Sequence, residues 1–194
     1  MRVYSRHDLL GEWLRIPRDK SHHFITFAKR IIRSFQATID VEMTVPSMVY
    51  IRAESVCDFI RKEYHLTFDI HDLVWILYKD FMEVALYEPD LRKVYETITN
   101  DYSHQWLEVY HYGELVDKYE HKQAHPRRTI VLTVDKKEIR NGEALLAEMD
   151  QRFPNRLMVE DMLEEIVTSF LESNHDESVQ QIVHRLVRKA EKYW

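Results

Sequence analysis

The residues whose type best suits chemistry are the histidines. The chain has 11 of them, and His104, His111, His121 and His125 crowd one short stretch. On a helix, His104, Glu108 and His111 stand at i, i+4 and i+7, which is a single face. Imidazole and carboxylate together suit zinc, iron or manganese, so these three are the candidate metal ligands. A two-metal helical site needs a second Glu-x-x-His set facing the first, and none is found. The alternative is a polar helix face opposite Tyr95, Ile98 and Tyr102, and no cofactor is expected. His22-His23 and His71-Asp72 are adjacent pairs, which do not face each other on a helix.

Covalent chemistry finds less support. Cys57 is the single cysteine and lies in the apolar register of Val56 and Ile60, where a thiol behaves as a small hydrophobe. It forms no disulfide framework or cysteine zinc site. The serines fall mostly at caps and turns. The three glycines, Gly11, Gly113 and Gly142, are too few and scattered for a phosphate loop or a nucleophile elbow, sites that need backbone to approach a ligand closely. No catalytic residue is assigned. The 33 acidic residues offer so many carboxylate pairs that none is informative. Tyr102, Trp106, Tyr110 and Tyr112 suit base stacking or a ligand pocket, with core packing as the simpler role.

The elements that must hold these residues are mainly helical. Ser5 caps a predicted helix to about Ile16, and Ser21 one to about Asp40, with Phe24, Ala28, Ile31, Ile32, Phe35 and Ile39 in one stripe. Pro46-Ser47 opens a segment to about Tyr64, whose start at 48–51 reads as either helix or strand. Asp69 caps a helix from Ile70 to Tyr87, apolar nearly all round and so expected at the centre of the bundle, with Val74, Leu77 and Phe81 buried. Pro89 ends it. A helix is predicted from Asp90 to about Tyr112, then a polar stretch from Glu114 to Arg128 as extension or linker. Thr129–Val134 is the one convincing strand. Asn141-Gly142 reads as an interruption, followed by helices to about Phe153, from Met158 to Glu172 and from Asp176 to Tyr193.

The order strand, helix, turn, helix over residues 127–172 resembles the ribbon–helix–helix DNA-binding unit, in which strands of two chains pair and enter the major groove. Alternation sets Arg127, Thr129, Val131 and Thr133 on one face and Ile130, Leu132 and Val134 toward the core. The resemblance implies base contact from Arg127, Thr129 and Thr133. It departs in its long strand-to-helix connection, in Pro154-Asn155 at the inter-helix turn, and in Glu160, Asp161, Glu164 and Glu165 where phosphate would dock.

Charge is uneven. Residues 1–35 hold eight basic and three acidic residues, a balance of +5, against 19 basic and 30 acidic in the remainder. Lys29, Arg30 and Arg33 are candidate nucleic-acid contacts; packing of the basic arm on the acidic body is the simpler reading, since a net charge of −6 repels nucleic acid at long range. No apolar run reaches the ~20 residues that span a bilayer, and Asp8, Glu12 and Arg15 interrupt any signal-peptide core.

The expectation is a mainly α protein: a helical bundle over 1–120, a polar linker over 121–128, then a strand and three helices over 129–194, or one continuous domain. An isolated strand leaves its ladder groups unpaired, so 129–134 needs a partner, either 48–51 or the same strand of a second chain. The expected function is a non-enzymatic, soluble, cytoplasmic regulatory or adaptor protein acting through protein–protein contacts as a homodimer. The alternatives are a nucleic-acid-binding regulator and a helical metal or small-ligand binding protein. Substrate, ligand, partner and pathway are not legible.

Overall fold

The computed structural model describes residues 2–14, 37–99, 105–111, 114–121, 126–153, 155–174 and 176–190. In chain order they form α1 (Leu9–Leu14), β1 (Thr38–Pro46), α2 (Ser47–Tyr64), α3 (Ile70–Tyr87), α4 (Leu91–Thr99), β2 (Gln105–His111), β3 (Glu114–His121), β4 (Arg127–Asp135), α5 (Lys136–Arg152), α6 (Val159–Ser173) and α7 (Val179–Ala190). The chain is mainly helical with a minor β element, as its patterning predicts.

That β element is two separate antiparallel pairs, β1 with β4 and β2 with β3. In the first, Val41, Met43 and Val45 alternate with Asp40, Glu42 and Thr44, and Ile130, Leu132 and Val134 with Thr129, Val131 and Thr133. The first set on each strand is buried and forms the inner face. The register sets Ile39 opposite Val134 and Val45 opposite Arg128, so apolar meets apolar across most of the inner face.

Helices cover that face. α6 is the hub, packing on β1, α2, α3, α4 and α5 and burying Val159, Met162, Leu163, Val167 and Leu171. α3 carries a reciprocal cap: the Asp69 carboxylate accepts the His71 and Asp72 N–H groups at 2.8 and 3.1 Å, while Asp72 accepts the Asp69 N–H at 3.0 Å, satisfying three donors at the helix start. The hydrophobic core runs from Tyr4 to Leu186 and draws on every element from β1 to α4 and from β4 to α7.

Several sequence expectations are corrected. The helix predicted from Ser21 to Asp40 lies largely outside the described residues, but Thr38–Asp40 belong to β1. Residues 48–51 are helical, so they are not the partner of 129–134; β1 is, within the same chain. The helix predicted to Tyr112 ends at Thr99, and Gln105–His111 is a strand. Trp106 and Tyr110 are four apart, a spacing compatible with either period. The polar stretch read as extension or linker contains β3, and Arg127-Arg128 begin β4. In α3, Val74 and Leu77 are buried and Phe81 is half-buried, but Val84, Leu86 and Tyr87 are exposed, so its last turns keep only Met82 and Ala85 in the core.

Asn141-Gly142 does not interrupt anything; α5 runs through it. A Cβ at Gly142 would lie 2.8 Å from Tyr78 Oη, 3.1 Å from Met162 Cε and 3.3 Å from Val159 Cγ2. Glycine is there so that α5 can approach α3 and α6 closely, with the Tyr78 hydroxyl donating to the Glu138 carbonyl at 2.6 Å. Gly→Ala in a helix interior normally gains up to about 1 kcal/mol. Here overpacking dominates, and Gly142→Ala is expected to lose about 1–3 kcal/mol in a denaturant titration; a gain would show that this contact has slack.

Candidate functional site

The phase of the β1–β4 ladder decides what the sheet offers to a partner. Lys136 N–H donates to the Ala37 carbonyl at 2.9 Å and Ser47 N–H to the Pro126 carbonyl at 2.8 Å. Both bonds continue the strand register, and antiparallel pairs alternate between bonded and non-bonded. Ile39, Val41, Met43 and Val45 therefore exchange hydrogen bonds with Val134, Leu132, Ile130 and Arg128. Pro46, which has no N–H to give, falls at a non-bonded position, as it must. The N–H and C=O groups of Thr129, Val131 and Thr133 then point away from β1, and none has a hydrogen-bond partner among the described residues.

The opposite edge, that of β1, is partly covered by side chains. His7 Nε2 bonds the Asp40 carbonyl at 2.9 Å, and the Arg127 guanidinium reaches across to donate to the Thr44 carbonyl at 2.7 Å while pairing with Glu164. Open backbone edges template strand addition unless blocked. Among the described residues, β4's edge carries no such cover.

A cleft of about 200 Å³ flanks that edge. β4 contributes Leu132, Thr133, Val134 and Asp135; α3 contributes His71, Asp72, Val74, Trp75 and Tyr78; Ile139 and Leu163 form the floor. No β1 residue lines it. Its walls are apolar and aromatic, and its rim carries two carboxylates. Lys79 Nζ already sits 4.8 Å from the Trp75 ring centroid, the geometry of a cation over an aromatic face.

The residues predicted from sequence are distributed otherwise. Thr129 and Thr133 lie on the exposed outer face of β4 together with Val131, as alternation requires. Thr133 Oγ1 donates to Asp40 Oδ1 at 2.8 Å, and Asp40, Glu42 and Asp135 share that face, so phosphates would meet carboxylates there. Lys29, Arg30, Arg33 and His104 lie outside the described residues. Glu108 and His111 belong to a strand, so the helical spacing that grouped them with His104 does not apply. The sequence reading missed β4's open edge and the cleft beside it. The period-2 run Ile39, Val41, Met43, Val45 was the available signal, since it supplies an internal partner for β4 and leaves one edge over.

The segment before α1 is fastened to the acidic body. Glu143, fully buried on α5, accepts the Ser5 hydroxyl and the N–H groups of Leu9, at 3.0 Å, and Leu10. A carboxylate from another helix thus caps α1 and complements its positive end. Arg2 reaches Asp150 at 2.7 Å and Arg6 reaches Glu42 at 3.0 Å. The Asn155 N–H, the Tyr4 hydroxyl and Arg2 hold the Asp150 carboxyl below its ordinary value. Its stabilising contribution is present above the ordinary carboxylate pKa and lost as pH falls through the lowered one. Glu143→Gln puts a donor where three donors converge and should cost about 2–3 kcal/mol by urea unfolding. An unchanged midpoint would show that this carboxylate does not anchor the segment.

Cys57 is fully buried on α2, and burial pushes its thiol up to about 12. The thiolate is the reactive form, so an aromatic disulfide reagent at pH 8 should label the protein only at the rate of unfolding. Rapid labelling of the native state would contradict this placement.

No family model, curated protein or solved structure matches the chain.

Proposed function

We propose that this chain is a non-enzymatic regulatory or adaptor protein of the cytoplasm that acts through protein–protein contact as a homodimer, with β4's outer edge as the contact. The observation that carries this reading is the open backbone edge at Thr129, Val131 and Thr133 beside a cleft with apolar walls. Strand addition at such an edge draws affinity from main-chain hydrogen bonds and specificity from pockets for alternate side chains. A two-fold axis supplies an identical strand without further sequence. No helix among the described residues is long and apolar enough to cross a membrane.

Proline tests this cleanly, because neighbouring positions on β4 turn their N–H groups in opposite directions. Val131→Pro removes an outward donor and leaves the β1 ladder its bonds; prolines are tolerated on edge strands in that orientation. The variant should keep its far-ultraviolet circular dichroism and sediment as a monomer where the wild type sediments as a dimer. Leu132→Pro removes a donor to β1 and should unfold the sheet. A wild-type protein that remains monomeric at high micromolar concentration contradicts the reading.

A further inference from the structure

We propose that the cleft between α3 and β4 is completed by Arg128 of a second copy, seated there by β4–β4 pairing with Val131 on the two-fold axis. This rests on the reading of β4's edge as the self-association surface, and it assigns that surface a register and an ionic lock.

The register follows from the outward-facing residues. With Val131 opposite Val131 of the second copy, Thr129 meets the second copy's Thr133, and Arg127 meets its Asp135. These are two apolar residues, two pairs of threonines and two opposite-charge pairs, each a favourable cross-strand combination. All four non-identical positions are matched by the strand's own sequence read backwards. On the inner face Ile130 meets Leu132, an apolar pair, and Arg128 meets Val134.

Arg128 is the residue that this pairing explains. Its side chain is exposed, and it has no ion pair or hydrogen bond among the described residues, unlike Arg127, which is held by Glu164. In this register Arg128 arrives on the inner face opposite Val134, at the end of the cleft lined by Asp72 and Trp75, while Asp135 lies on the outer face opposite Arg127. A guanidinium stacks on aromatic faces and pairs with carboxylates. The cleft offers the carboxylate, with the Trp75 ring already beneath Lys79, while its own chain brings β4's arginines to the other end of the strand. Each copy therefore carries the Asp72 carboxylate at its cleft and the Arg128 guanidinium beyond it, and two-fold symmetry joins them twice.

Single-cysteine variants read the register, since native Cys57 is buried. Directly bonded antiparallel pairs have Cα atoms about 5.5 Å apart, within disulfide reach. Val131→Cys should form a disulfide-linked dimer on mild oxidation. Thr129→Cys should not, because four residues of offset separate the two copies by about 13 Å. Arg128→Glu should raise the dimer dissociation constant at least tenfold in sedimentation without altering the fold, and Arg128→Lys, which keeps the charge, should lose much less. Wild-type dimers in which Val131→Cys fails to link, or in which Arg128→Glu leaves the dissociation constant unchanged, overturn this inference and leave the dimer reading standing. A monomeric wild type overturns both.

Discussion

The antiparallel ladder between β1 and β4 is the constraint on which the rest of the structure depends. It joins two strands more than 80 residues apart in the chain, and its inner face is the surface on which α6 and its neighbours pack. Because hydrogen-bonding direction alternates along a strand, the choice of which residues bond to β1 also chooses which face outward. A shift of one residue would bury Glu42 and Thr133 and expose Met43 and Leu132. The register is therefore held by burial, and the open edge at Thr129, Val131 and Thr133 is its by-product.

The two edges are treated differently. Two carbonyls of β1's edge are covered by His7 and Arg127, and the segment that carries His7 is tied to the body by Glu143, Asp150 and Glu42. Buried carboxylates are costly unless their acceptor capacity is used, and Glu143 uses it by capping α1. Nothing comparable covers β4 among the described residues. A sheet of two strands is marginal in water by itself. Here helices supply the stability, so an uncovered edge can persist.

Much of this was legible in the residues. The helix from Ile70 to Tyr87 appears with its Asp69 cap where pattern and capping chemistry place it, and the in-out alternation of Ile130 to Val134 is as read. β1 is legible too, as Ile39-x-Val41-x-Met43-x-Val45, but Ile39 also fits the helical stripe that runs through Phe35. Gly142 misled because Asn-Gly is turn chemistry; the need for it comes from Tyr78 and Met162, which are distant in sequence. Glu143 was one of 33 acidic residues, and only tertiary packing singles it out. The cleft could not be read at all, since its lining comes from four elements.

Amide hydrogen exchange on β4 tests the central claim most directly. The N–H groups of Ile130, Leu132 and Val134 should be protected at every protein concentration. Those of Thr129, Val131 and Thr133 should exchange freely at low concentration and become protected as concentration rises, tracking dimer formation. Outward amides that stay unprotected at all concentrations, or that are already protected in the dilute monomer, would contradict the account.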